Sequence, residues 1–285
     1  MRIVPILLLI FVGIVIFSCT KDLKIDSENT TKQLVVEGSI EPNQYPIVYL
    51  TRSSPYFQKI DSSTMLSLIA SEAKVTVSTQ SDTEILTLRY DKQRFPPYYY
   101  EGTSIVGKVG EKYRLQIMLN GKEYVAESTL NNPVNLKEIG SVSPTSNNEQ
   151  RFLTIRFNDP INENNYYRVY TKRIGKDYDF IPCYLSTFSD FGFDGKEYTF
   201  EIIRSISSIK QTDNGKYFIK GDVVLIKLCS ISKKEFDYWK NIEAQIVVSS
   251  NPFGFSSSEP PSLIKGNALG IWSALGSNVF IYKVI

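Results

Sequence analysis

EKYRLQIMLNGKEYVAEST, residues 111–129, decides the fold class. Apolar and polar residues alternate on both sides of Asn120-Gly121, a dipeptide whose two members tolerate the positive φ of a tight hairpin turn. Tyr113, Leu115 and Ile117 fall on one face of the first strand, and Tyr124 and Ala126 on one face of the second. A hairpin with one greasy face needs a second sheet to cover it, so the local pattern predicts a β-sandwich.

Working outward toward the amino terminus, the same texture continues from residue 33. QLVVEGSI and PIVYLTRSS are rich in β-formers, and EAKVTVSTQS and DTEILTLRYD read as neighbours joined by a tight turn at Ser81-Asp82. Two interruptions stand out. Residues 55–70 read as a long loop with room for a short helix, and RFPPYYYEG carries Pro96-Pro97, which a central strand does not tolerate. Tyr98, Tyr99 and Tyr100 follow, and two readings are open for them: an aromatic binding loop at the end of a sandwich, or half-buried strand residues.

Toward the carboxyl terminus, LNNPVNLKEIGSVSPTSNNEQ is rich in Asn, Ser and Pro and reads as the junction to a second domain. QRFLTIRFND, NNYYRVYTKRI, DYDFIPCYLS, KEYTFEIIRSI and DVVLIKLCSI then repeat the strand texture. One helix is legible. Ser232 and Glu235 have the S-x-x-E spacing of a capping box, and Phe236, Trp239 and Ile242 follow at helical spacing, so a helix is expected over about 233–244, ending before the β-branched IVVSS. The last stretch, GIWSALGSNVFIYKVI, has few charges and is expected to return to the body as a buried strand.

The expected architecture is therefore all-β: two immunoglobulin-like or transthyretin-like antiparallel β-sandwich domains, residues 33–131 and 132–285, with one short helix in the second. Ahead of them, Arg2 precedes the apolar run IVPILLLIFVGIVIFSC, which ends in Ser18-Cys19. That is the pattern of a lipoprotein leader cleaved before a lipidated cysteine. Residues 1–18 are expected to be a signal peptide, Cys19 the site of lipidation, and residues 19–32 a polar tether.

Composition limits the chemistry. There is no histidine in the 285 residues, which excludes a Ser-His-Asp triad, a Cys-His pair and imidazole-based metal sites. A formal charge of +2 offers no field to gather nucleic acid. No cofactor is expected. Cys183 and Cys229 remain after leader removal, and outside the cytoplasm a disulfide between them is chemically permitted, as is a pair of buried thiols.

Two loops attract attention. FSDFGFDGKEYTF brings Asp190, Asp194 and Glu197 together with Phe191 and Phe193, a set of oxygens that is a weak candidate for a calcium site beside a solvated-turn reading. SSNPFGFSSSEPPSLIKG holds Phe253 and Phe255 in a proline-stiffened excursion that either packs across the domain edge or faces a partner. A carboxylate-dependent glycoside hydrolase would need two facing acids, with Asp159, Asp190, Asp194 and Glu197 as candidates, and the sequence holds no pair in that relation.

YRLQIMLNGKEYVAEST, RFNDPINENNYYRV, FSDFGFDGKEYTF, GDVVLIKLCSISKKEFDYWKN and SSNPFGFSSSEPPSLIKGNALGIW, in this order behind a lipoprotein leader, together resemble the Bacteroidota lipoproteins of domain of unknown function 4249. The resemblance implies an envelope protein lipid-anchored in the outer membrane, at the cell surface or facing the periplasm, that works beside a TonB-dependent transporter of the SusC type. It brings no catalytic residues with it. The expected function is a non-catalytic binding or accessory role, with a structural or adhesive surface lipoprotein as the alternative.

Overall fold

The computed structural model describes residues 32–54, 62–144, 149–204, 213–249 and 261–285. The expected leader, Cys19, all but the last residue of the expected tether, and Phe253 and Phe255 lie outside these residues. Among the described residues, no helix is long and apolar enough to cross a membrane.

The chain is all-β, built as two β-sandwiches. In the first, a sheet of strands β1 (Leu34–Ile40), β2 (Ile47–Arg52), β5 (Thr87–Tyr90) and β6 (Tyr98–Glu101) packs on a sheet of β3 (Lys74–Ser78), β4 (Thr83–Ile85), β7 (Lys112–Leu119) and β8 (Lys122–Thr129). The predicted hairpin is present with Leu119 opposite Lys122, and Asn120 and Gly121 take φ of 51° and 74°. Tyr113, Leu115, Ile117, Tyr124 and Ala126 face inward onto Leu34, Val36, Ile40, Val48 and Leu50 of the other sheet. The expected turn at Ser81-Asp82 joins β3 to β4. The segment DTEILTLRYD, however, divides: β4 stays with β3 while β5 crosses to pair with β6 in the opposite sheet. A short helix α1 (Ser62–Leu68) stands in the loop where one was expected.

The second sandwich packs a sheet of β9 (Leu136–Val142), β10 (Gln150–Asn158), β13 (Glu197–Ile202) and β14 (Phe218–Ile219) on a sheet ordered β12 (Ile181–Ser189), β11 (Tyr166–Arg173), β15 (Val223–Ile231), β17 (Gly276–Lys283). Its core holds Leu153, Ile155 and Phe157 from one sheet and Tyr167, Val169, Val224, Ile226 and Leu228 from the other.

Two expectations need correction. The 132–285 boundary does not hold, because β16 (Leu269–Ala274) leaves the second sandwich and pairs in parallel with β1, Val36 opposite Gly270 and Gly38 opposite Trp272. The first sheet is therefore completed by a strand from the far end of the chain, and its pairing there is not antiparallel. Glycines permit this approach. A Cβ on Gly270, where φ is +113°, would lie 1.8 Å from the Val36 carbonyl oxygen, and Gly38 leaves the space that the Trp272 indole fills.

The helix, α2 (Lys233–Ser249), also runs past its expected end. Ile246 to Val248 are β-branched, but each costs only a few tenths of a kcal/mol in a helix, and the first strong breaker in the sequence is Pro252. Its predicted cap is present: Ser232 Oγ accepts from the Glu235 amide at 3.3 Å, and Glu235 Oε2 accepts from the Ser232 amide at 2.6 Å. Glu235 also accepts from Ser128 Oγ at 3.0 Å, which ties the helix start to the first sandwich. Burial pushes the Glu235 carboxyl above its usual range despite these donors.

Candidate functional site

Alternation in LVVEGSI sends Leu34, Val36 and Ile40 into the first core and leaves Glu37, Ser39 and then Glu41 on the outer face of the sheet. The neighbouring strands add Tyr49 opposite Glu37 on one side and Ile271 opposite it on the other. The outer face of β11 and β15, with Tyr170 and Lys227, stands across from this wall, and Trp239 of α2 closes one end. The result is a cleft at the seam of the two sandwiches, with an inner recess of about 130 Å³ opening into an outer part of about 600 Å³. Phe95 lies in the lining of the outer part and is 77% exposed.

One charge pair crosses the seam at the cleft. Lys227 Nζ lies 2.6 Å from Glu41 Oε1, and Ser277 Oγ donates to Glu41 Oε2 at 2.7 Å. The same ammonium sits 4.5 Å from the Phe180 ring centroid and 5.1 Å from that of Tyr170. Buried Arg168 lays its guanidinium 3.3 Å from the Trp239 ring centroid and donates from Nε to Ser186 Oγ at 3.3 Å. Near the mouth, Arg94 Nη1 donates to the Tyr49 hydroxyl at 2.7 Å and its guanidinium covers Tyr99. Tyr178 donates to Asp91, a further bond across the seam.

Glu37 is reached by water yet lies on the floor of this cleft, where desolvation raises its carboxyl above the usual range and the more distant charge of Arg168 pulls only partly the other way. An acid with a raised folded pKa destabilises the fold when ionised, fully above that pKa, and the penalty fades as pH falls through it toward the unfolded value. Glu37→Gln is therefore expected to raise the melting temperature at pH 8 and to have no effect at pH 4, read by circular dichroism at both pH values.

The sequence-predicted residues fall out differently. Tyr98 to Tyr100 form strand β6, not a loop: Tyr99 and Tyr100 are buried, and the Tyr100 hydroxyl donates to the Ala70 carbonyl at 2.9 Å, so the aromatic-loop reading is corrected. Phe193 is also buried, stacked on Tyr198 at 3.8 Å between centroids, whereas Phe191 is 95% exposed. Cys183 and Cys229 are free buried thiols. Their strands flank β11 on either side, about 10 Å apart, beyond the roughly 7 Å Cα separation a disulfide can span. They also pack in different apolar clusters, Cys183 within the sandwich and Cys229 under α2. Burial pushes the Cys229 thiol up to about 12.

The acidic loop keeps Asp190 and Asp194 together, but Glu197 points away to Lys137 at 2.7 Å, and the third member of the group is Asp159, with ligand oxygens within 4.8 Å of one another. These carboxylates bind backbone. Asp159 accepts from Tyr167 and from the Gly195 amide at 3.0 Å, Asp190 from the Asn165 amide at 2.8 Å, and Asp194 from the Asn162 amide at 3.1 Å. The arrangement staples loop 159–165 to loop 190–195, and burial with like-charge repulsion raises the Asp159 carboxyl.

Sequence reasoning missed Glu37, Glu41, Arg168 and Lys227. The signal for three of them was a lone charge inside an apolar strand, as in LVVEGSI, YYRVY and VVLIKLCSI.

Residues 20–271 match the family described as domain of unknown function DUF4249. The chain belongs to the DUF4249 family. No curated protein matches this DUF4249 chain. Among solved structures, the chicken interferon gamma receptor alpha chain is similar at 7% identity, over 70% of this chain and 89% of that one, with a TM-score of 0.19, a likeness too slight to carry an argument.

Proposed function

We propose that this DUF4249 protein is a lipid-anchored envelope binding protein, non-catalytic, that serves an outer-membrane TonB-dependent transporter of the SusC type and receives its ligand or partner in the cleft between the sandwiches. The observation that carries the reading is the cleft itself, in which aromatic rings and charged side chains from both sandwiches converge. Mixed linings of this sort orient a ligand through a few polar groups against apolar walls. The leader ending in Ser18-Cys19 supports the anchor. At each carboxylate of the acidic group, backbone amides already take up an oxygen, which favours a structural over a hydrolytic use.

Purification from native outer membranes after mild crosslinking tests the reading. The mature chain is expected to begin at an acylated Cys19 by intact mass, and a SusC-type transporter to be identified in the crosslinked species. Phe95→Asp at the cleft is expected to lower that recovery at least fivefold without changing the melting temperature. A chain that still begins at Met1, or one recovered alone, overturns it.

A further inference from the structure

Glu37 and Asp179 are the acids of the cleft with no hydrogen-bond or ion-pair partner among the described residues, and of the two Glu37 lines the inner recess. Lys227 is taken up by Glu41, Arg94 by the Tyr49 hydroxyl and the Tyr99 ring, and Arg168 by Trp239 and Ser186. Among the described residues no hydrogen bond is donated to Glu37 and no cation lies within ion-pair distance of it. It stands at the inner recess with Tyr49 beside it on the sheet and Tyr170 across from it.

We propose that the recess binds the ammonium end of an alkylamine, with Glu37 as its counter-ion and the Tyr49 ring as the wall beside it. The inference rests on the reading of the cleft as a binding site and names the chemistry of what enters it. A carboxylate and aromatic faces both attract a cation, and the cleft already uses this combination where the Lys227 ammonium meets Glu41 and the rings of Phe180 and Tyr170. An anion would meet four carboxylates, Glu37, Glu41, Glu101 and Asp179, against Arg94 and Lys227, whose charges are engaged. A neutral ligand would strip water from Glu37 and offer no compensating charge. The recess of about 130 Å³ has room for the tip of a chain. A lysine side chain of a partner and a free polyamine share this chemistry.

Calorimetric titration of the full chain with n-hexylammonium, hexan-1-ol and hexanoate, at matched ionic strength, tests the proposal. Hexylammonium is expected to bind at least tenfold more tightly than the alcohol, and hexanoate not to bind. Glu37→Gln should bring hexylammonium down to the level of the alcohol with the melting curve still cooperative, and Glu37→Asp should fall between. Spermidine and Nα-acetyl-lysine methylamide separate the two sources by which competes better. Equal binding of amine and alcohol, preference for hexanoate, no binding at all, or unchanged affinity in Glu37→Gln overturns the proposal. If amine binding fails while Phe95→Asp still lowers transporter recovery, only the ligand chemistry falls and the cleft remains a binding site.

Discussion

Trp272→Ala is expected to cost about 3–5 kcal/mol of unfolding free energy, the usual range for removing a large aromatic side chain from a packed core. The indole is 1% exposed, rests on Gly38, and donates from Nε1 to the Tyr113 carbonyl at 3.3 Å. It belongs to a strand that reaches the first sandwich from the end of the chain, so its loss should loosen residues 34–130 and not only the carboxyl-terminal third. Urea denaturation followed by hydrogen exchange would locate the loss. The stronger form of the same expectation is that residues 33–131, expressed alone, show no cooperative transition. A sharp urea transition in that fragment would refute the shared-core account.

The second large effect is expected at the seam. Lys227 is buried and pairs with the partly buried Glu41, and removing one member leaves the other charged, poorly hydrated and without its counter-ion. Lys227→Met should therefore cost about 3–5 kcal/mol, whereas Lys227→Met combined with Glu41→Gln should cost far less, since the neutral amide can still accept from Ser277. A thermodynamic cycle of the two single variants and the double variant, measured by urea unfolding, reads the coupling directly. Additive losses would mean that the pair is independent and that the seam is held by packing alone.

Local features of this fold were legible where short-range chemistry decides them. Asn120-Gly121 set the hairpin register, Ser232 and Glu235 set the helix start, and period-two alternation assigned the inward faces of β7 and β8. Pairing between β1 and β16 was not legible, because more than two hundred residues separate them and a parallel neighbour leaves no turn signature. The divided strand at Leu86 escaped for a related reason: alternation continues across the point where the chain changes sheets.

The site was harder still. Alternation identifies which residues leave a core but not what they meet, so Glu37, Tyr49 and Tyr170 read as ordinary outward strand positions until the second sandwich is placed opposite them. Of the acidic group, Asp190 and Asp194 were recognised by proximity in sequence, while Asp159 joins them only through the folding of a separate loop. Tyr98 to Tyr100 stayed open between two readings, since a preceding Pro-Pro pair marks the start of a strand as well as the tip of a loop.

The strand borrowed from the chain's end also sets a timetable. A polypeptide made from its amino terminus has the hairpin of residues 112–129 early, but the slot beside β1 stays empty until residue 274 has emerged. At ordinary synthesis rates that is a wait of roughly 10 to 30 seconds, during which the backbone edge of β1 is open to any passing strand. Nascent copies held close together would have the means to exchange their β16 strands, so the yield of correctly closed monomer should depend on how widely they are spaced.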